Sequence, residues 1–176
     1  MEDSKPCLNA VRELLLQEIS VLTEDEFNET AENHAWSIAQ ICQHLVKTEI
    51  LFQKALAFGL RQKQQSRPQR RPIGIVSDRS VNYQAPKVSE PDDGPFQIPQ
   101  IIQQLNVARS DFLALLDSVE DKSVLKEAAV HHPRFGDLPL DQWVELLHLH
   151  ERRHAEQIKE LKSVLKQNLD PSRHSS

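Results

Sequence analysis

His150, Glu151 and His154 stand in the run HERRH, which has the spacing of the helical zinc signature HExxH: two histidines four apart and a glutamate after the first. Residues four apart on an α-helix differ by about 40° around its axis, so the two imidazoles point the same way and can share one ion. On a helical wheel both fall within the apolar stripe Trp143, Leu147, Ile158 and Leu161, where solvent-facing polar residues do not belong. A single buried histidine is ordinarily explained by hydrogen bonds to its neighbours. An i, i+4 pair inside a core stripe favours a shared metal instead. His148 lies off the stripe and reads as a solvated surface residue.

A protease of the HExxH kind needs a third ligand beyond the end of the helix. Gln157 stands where one such family has a glycine turn, Glu160 remains on the same helix, and only a short polar tail follows. The protease reading therefore fails. The third ligand is sought upstream, at His44 in WSIAQICQHLVKTE, on the margin of another apolar stripe. A metal held by His44, His150 and His154 would bridge two helices of a bundle. Gln40 and Thr48 lie one turn to either side of His44 and are candidate pocket residues. Glu151 has two open readings: a base or ligand-orienting group beside the metal, or a helix carboxylate paired with arginines. A di-iron site is excluded for lack of partners, although Glu145 with His148 and Glu151 with His154 both have Glu-x-x-His spacing.

These residues need helices to hold them. Only four glycines occur in 176 residues, and Leu, Ile, Gln, Glu and Ala recur at spacings of three and four. The first helix is expected over about 5–22, with Leu8, Val11, Leu15, Ile19 and Leu22 on one stripe, and Thr23 with Glu26 starting a short turn. The second starts sharply at Ser37, with Gln40 three residues later and Trp36 and Ile41 stapling the cap, and runs to about Leu60. The third spans roughly 97–119 through Ile101, Leu105, Ala108, Phe112, Leu116 and Val119. The fourth begins near Pro139.

About 35 proline-rich polar residues separate the second and third helices, a length that suits a crossover along the whole bundle or a functional lid. Within it GIVSDRSVNYQ is a candidate brief strand. The segment DKSVLKEAAVHHPRFGDLPL is expected as a loop that leaves His131 and His132 at the surface. Residues 1–168 read as one four-helix domain and 169–176 as a disordered tail.

The bulk numbers agree with this frame. A chain of 176 residues can bury a core without disulfides or a structural metal. Cys7 and Cys42 are far apart with no CxxC, which favours a reducing, cytoplasmic setting, with Cys42 as a small buried side chain. No apolar run approaches the ~18 residues of a membrane span. The net charge of −5 argues against nucleic acid, and the basic run 61–71 lacks the aromatic residues that would stack on bases.

WSIAQICQHLVKTE, followed near the C-terminus by HPRFGDLPLDQWVELLHLHERRHAEQI, resembles the DinB/YfiT-like superfamily. The resemblance implies an all-α, up-down-down-up four-helix bundle, often a homodimer. It also implies a three-histidine divalent-metal site, which maps here onto His44, His150 and His154. Pro139 replaces the Ser or Thr that often caps the last helix in relatives. The metal would be zinc or nickel, with iron or manganese as further candidates. The superfamily includes thiol S-transferases and a maleylpyruvate isomerase besides metal-dependent hydrolases. The expected function is thus a metal-dependent transferase joining a small thiol cosubstrate to a small electrophile. A hydrolase and a non-catalytic metal-binding or stress-response bundle are the alternatives. In this frame the basic run is either a solvated loop or a source of arginines, Arg67, Arg70 and Arg71, that fold over the pocket and receive the thiol's carboxylates.

Overall fold

The computed structural model describes residues 4–62, 68–81 and 83–168. Four long helices carry the architecture: α1 (Ser4–Ile19), α3 (Ile38–Arg61), α4 (Ile98–Asp117) and α6 (Leu140–Asn168). Two short ones, α2 (Glu24–Asn28) and α5 (Val124–Glu127), join them, together with a hairpin of β1 (Ala129–His132) and β2 (Gly136–Pro139). The expected tail and Arg67 lie outside the described residues.

Both predicted capping boxes form. Thr23 and Glu26 bond reciprocally at the start of α2, and Ser37 and Gln40 do so at α3, satisfying N–H groups that a helix start leaves unpaired.

Side-chain contacts set the helix directions. Lys5 reaches Asp117 while Arg12 reaches the carbonyl of Leu105, so α1 and α4 are antiparallel. Arg12 reaches Glu151 and Glu18 holds Lys162, so α1 and α6 are parallel. His44 meets His154 and Phe52 meets Trp143, so α3 and α6 are antiparallel. The result is the up-down-down-up bundle. Its parallel α3 and α4 force the connection between them to return along the bundle, about 30 Å for a 20-residue helix.

That crossover runs on α6. The Arg70 guanidinium donates to Asp141 (2.6 Å) and to Glu145 (2.5 and 2.7 Å), and Gln142 clamps the backbone of Arg71 from both sides (2.7 and 2.8 Å). Ile73 and Val76 are buried against the bundle, in a 3₁₀ helix, Ile73–Ser77. The candidate strand GIVSDRSVNYQ is therefore not a strand where it is described: no second extended segment lies alongside, and the chain saves its buried pair at a three-residue spacing. Arg153 of α6 then donates to the carbonyls of Val76 (3.1 Å), Asp78 and Val81 (2.7 Å).

The segment before α6 also departs from expectation, holding α5 and the antiparallel hairpin rather than a plain loop. Its turn closes at Gly136, whose φ of +70° is a conformation glycine adopts without strain. Pro139 is the last residue of β2, and α6 starts immediately after it. Gly59 lets α3 approach this junction, since a Cβ there would stand 2.5 Å from Leu140 Cδ2.

The apolar interior is divided in two. One cluster contains Leu8, Phe52, Phe112 and Leu147; the other contains Leu15, Leu45, Leu105 and Ile158. Between them, on every long helix, lies one buried charged residue: Arg12, Glu49, Arg109 and Glu151, each at most 5% exposed.

Candidate metal centre

The four buried charges form a closed ring. Arg12 donates through Nε to Glu151 (2.6 Å) and through Nη2 to Glu49 (2.5 Å); Arg109 donates through Nε to Glu49 (2.5 Å) and through Nη2 to Glu151. Each arginine also caps a carbonyl of the other's helix, Arg12 on Leu105 and Arg109 on Leu8, in both cases the residue four before its counterpart. Two cations and two anions cancel, and all four carboxylate oxygens accept from a guanidinium. Buried charges persist when paired and hydrogen-bonded in this way. Of the two readings of Glu151, this geometry supports the arginine-paired one and corrects the catalytic one, because both oxygens are engaged by buried guanidiniums and turned away from the histidines' shared centre toward the ring.

One helical turn from this ring the three histidines converge. His150 Nε2 lies 3.3 Å from His44 Nε2 and 3.2 Å from His154 Nε2, and one ligand atom from each of the three lies within 4.8 Å of the others. Two of the tautomers are fixed from outside. His44 Nδ1 is 2.8 Å from the carbonyl of Ser89, which can only accept, so that nitrogen carries the proton and Nε2 presents a bare lone pair. His154 Nδ1 is likewise 2.8 Å from Gln157 Oε1. Burial, and to a lesser degree the other imidazoles, holds His150 well below the usual histidine range and pushes His154 down to about 3. Burial lowers His44 as well, against the opposing effect of its bond to Ser89. The three rings are therefore neutral, the state that ligates metal.

Lone pairs meeting at 3.2–3.3 Å with at most one proton to share repel, and a cation resolves the conflict. The spacing fits one: nitrogens arranged tetrahedrally at about 2.0–2.1 Å from a zinc ion stand about 3.3–3.4 Å apart. His44 is 4% exposed, whereas His150 and His154 keep partial exposure that leaves the centre approachable. His150 Nδ1 and Thr48 Oγ1 are buried without hydrogen-bond partners.

The other expected pocket residues divide. Thr48 lies between His44 and Phe52 on the face of α3 that meets α6. Gln40 is used in the α3 cap, its Oε1 accepting from Ser37 N (3.0 Å). Arg70 is committed to Asp141 and Glu145 of α6, and the Arg71 Nε donates to the Asp137 carbonyl of the hairpin (3.5 Å), so neither guanidinium folds over the histidines. His132 is not a surface residue: its ring packs 5.0 Å from Trp143, 5.1 Å from Phe135 and 6.4 Å from Phe52, and burial pushes it down to about 4. His148 is half-buried with Nδ1 out of solvent, rather than solvated. Cys42 is buried, as expected, and burial raises its thiol. A groove of about 470 Å³ between α3 and α4, lined by Gln43, Ile50, Gln103 and Val107, is remote from this chemistry.

The family model of the DinB superfamily matches residues 8–158. The chain belongs to that superfamily. A relative, the uncharacterized protein YuaE of Bacillus subtilis (strain 168), is 27% identical over 148 residues, covering 84% of this chain and 90% of its own length. Among solved structures, TT2238, described as a four-helix bundle protein, superposes with a TM-score of 0.62 at 15% identity over 90% of this chain and 98% of its own. That likeness establishes the fold. Within it the His44, His150 and His154 cluster is a potential metal-binding site consistent with metal-dependent activity.

Proposed function

We propose that this chain is a metal-dependent enzyme that transfers a low-molecular-weight thiol to a small electrophile, with His44, His150 and His154 holding a divalent ion, zinc or nickel foremost. The observation that carries the reading is the convergence of the three imidazoles, His150 Nε2 lying 3.3 Å from His44 Nε2 and 3.2 Å from His154 Nε2, with the His44 and His154 nitrogens made bare acceptors by Ser89 and Gln157. When bound there, the ion would supply Lewis acidity, lowering the pKa of a coordinated thiol or water and polarising a substrate oxygen. The chain's own part is orientation. Ser89, on the crossover, and Gln157, one turn beyond His154 on α6, each fix one ring, and such outer partners tune both affinity and ligand basicity.

Neutral imidazoles favour the thiol reading because they leave the ion's double charge uncompensated, which suits an anionic sulfur. Thr48 offers an unspent hydroxyl to whatever enters. Two unpaired cysteines, Cys7 and Cys42, accord with a reducing cytoplasm. Among the described residues no helix is long and apolar enough to cross a membrane.

Metal analysis of the purified protein and of a His44, His150, His154 to alanine triple variant is the first test; equal metal content in both sinks the reading. Conjugation of electrophiles assayed with several small thiols comes second. Turnover with water and no thiol dependence would make the protein a hydrolase, and no turnover at all would leave a metal-binding bundle.

A further inference from the structure

Two segments from different parts of the chain meet beside the histidines. The crossover brings Tyr83, and the β1–β2 turn brings Arg134, whose guanidinium carbon lies 3.6 Å from the centroid of the Tyr83 ring. The guanidinium carbon of Arg153 is 5.1 Å from the same centroid. Arg153 stands one turn after His150 and immediately before His154, so Tyr83 beside it lies along the edge of α6 that flanks those two partly exposed rings. Below lies an aromatic wall. Phe52 packs edge-on against Trp143 at 4.9 Å, and His132 covers both.

The polar groups here are not satisfied. The Tyr83 hydroxyl oxygen is buried and has no hydrogen-bond partner. Leaving such a group unpaired is destabilising, since its lost hydration is not replaced. Among the described residues no carboxylate pairs with Arg134, while the nearest hairpin acid, Asp137, is held by His131 at 3.2 Å. Arg153 is occupied by three backbone carbonyls and Arg79 by Glu160. A planar guanidinium without an anion, beside a buried phenol without an acceptor, is what an oxyanion of two or three oxygens would satisfy.

We infer that Arg134 and the Tyr83 hydroxyl form an anion subsite beside the three histidines, which takes the carboxylate or phosphate of a small molecule whose apolar body lies on the partly exposed rings of His132 and Phe135. The inference rests on the metal-enzyme reading for what happens at the other end of that molecule. The anion subsite itself stands on side chains that do not touch the metal ligands.

Calorimetric titration with benzoate, phenyl phosphate and the neutral benzamide, on metal-loaded and on metal-free protein, tests it. The two anions bind at least about tenfold more tightly than benzamide in both forms, the effect expected of a charge-assisted hydrogen bond. Arg134→Gln abolishes that preference and leaves benzamide binding unchanged; because Arg134 is an exposed turn residue, the variant keeps its fold. Arg134→Lys restores part of the preference. Tyr83→Phe, which keeps the ring, weakens anion binding about three- to tenfold. The two anions against each other tell a carboxylate site from a phosphate site. Equal binding of anions and benzamide, or a preference that survives Arg134→Gln, overturns the inference. A preference that appears only with metal and survives Arg134→Gln places the anion on the metal and also overturns it. Failure to bind metal with the anion preference intact would instead remove the metal-enzyme reading alone.

Discussion

The arginine–glutamate ring, which draws on all four long helices, and the histidine cluster, which draws on α3 and α6, are neighbours built on opposite principles. In the ring every carboxylate oxygen has a guanidinium, the charges cancel, and the spare donors cap carbonyls. In the cluster, acceptors face acceptors and the His150 Nδ1 and Thr48 hydroxyl nearby have no partner. A polar network complete in itself holds a fold; one that the protein leaves incomplete is completed by something else. Two buried groups of comparable polarity thus have different meanings, and satisfaction rather than burial separates them.

Breaking the ring produces the largest effect. Glu49→Ala strips one oxygen pair from two buried guanidiniums and is expected to cost about 3–5 kcal/mol in chemical denaturation. A loss below about 1 kcal/mol would mean that the ring is not closed in solution. Glu151→Gln, which keeps the shape, retains more activity than removal of any histidine if Glu151 is structural; a loss matching that of His150→Ala would return it to catalysis.

The cluster responds to metal where the ring does not. Zinc at a hundredfold excess over its dissociation constant stabilises the wild-type chain by about 2.7 kcal/mol, read as a rise in the unfolding midpoint. The His44, His150, His154 triple alanine variant shows no such rise. Next in size is the outer support: Gln157→Leu frees the His154 ring and weakens metal affinity about 10–100-fold in competition with a chelator, while unfolding of the metal-free chain shifts little.

The last effect is one of pH. His132 is pushed down to about 4 from an ordinary value near 6.5, chiefly by burial against Phe52, Phe135 and Trp143. Between those values the unfolded chain binds a proton that the folded chain refuses, so stability falls as pH falls through that window. His132→Phe makes the fall shallower, the rest of it being carried by His44, His150 and His154, which burial also depresses. An unchanged slope between pH 6.5 and 4 would show that His132 is not held neutral by its packing.

Periodicity and caps alone were enough to locate four helices, because a 3.6-residue stripe ending at a Ser37–Gln40 or Thr23–Glu26 box is a local property of the chain. The pairing of His150 with His154 was legible for the same reason. Their partner His44 was legible as a polar residue at the edge of an apolar stripe, but convergence of its ring with theirs depends on how α3 packs on α6. The ring left a trace that went unread: Arg12, Glu49, Arg109 and Glu151 each follow a core leucine, Leu8, Leu45, Leu105 and Leu147, by four residues. Two charges of each sign in four core stripes imply a buried network, though which carboxylate meets which guanidinium is a matter of helix direction. The hairpin before α6 was missed because its strands are four residues long and hold two adjacent histidines, too short for alternation to register. The sequence by itself determined the helices, their buried faces and which residues are able to bind metal. Tertiary structure decided which of those groups are satisfied, since a carboxylate's role depends on what arrives from other helices: it gave Glu151 two arginines and left the three histidines with at most one proton to share.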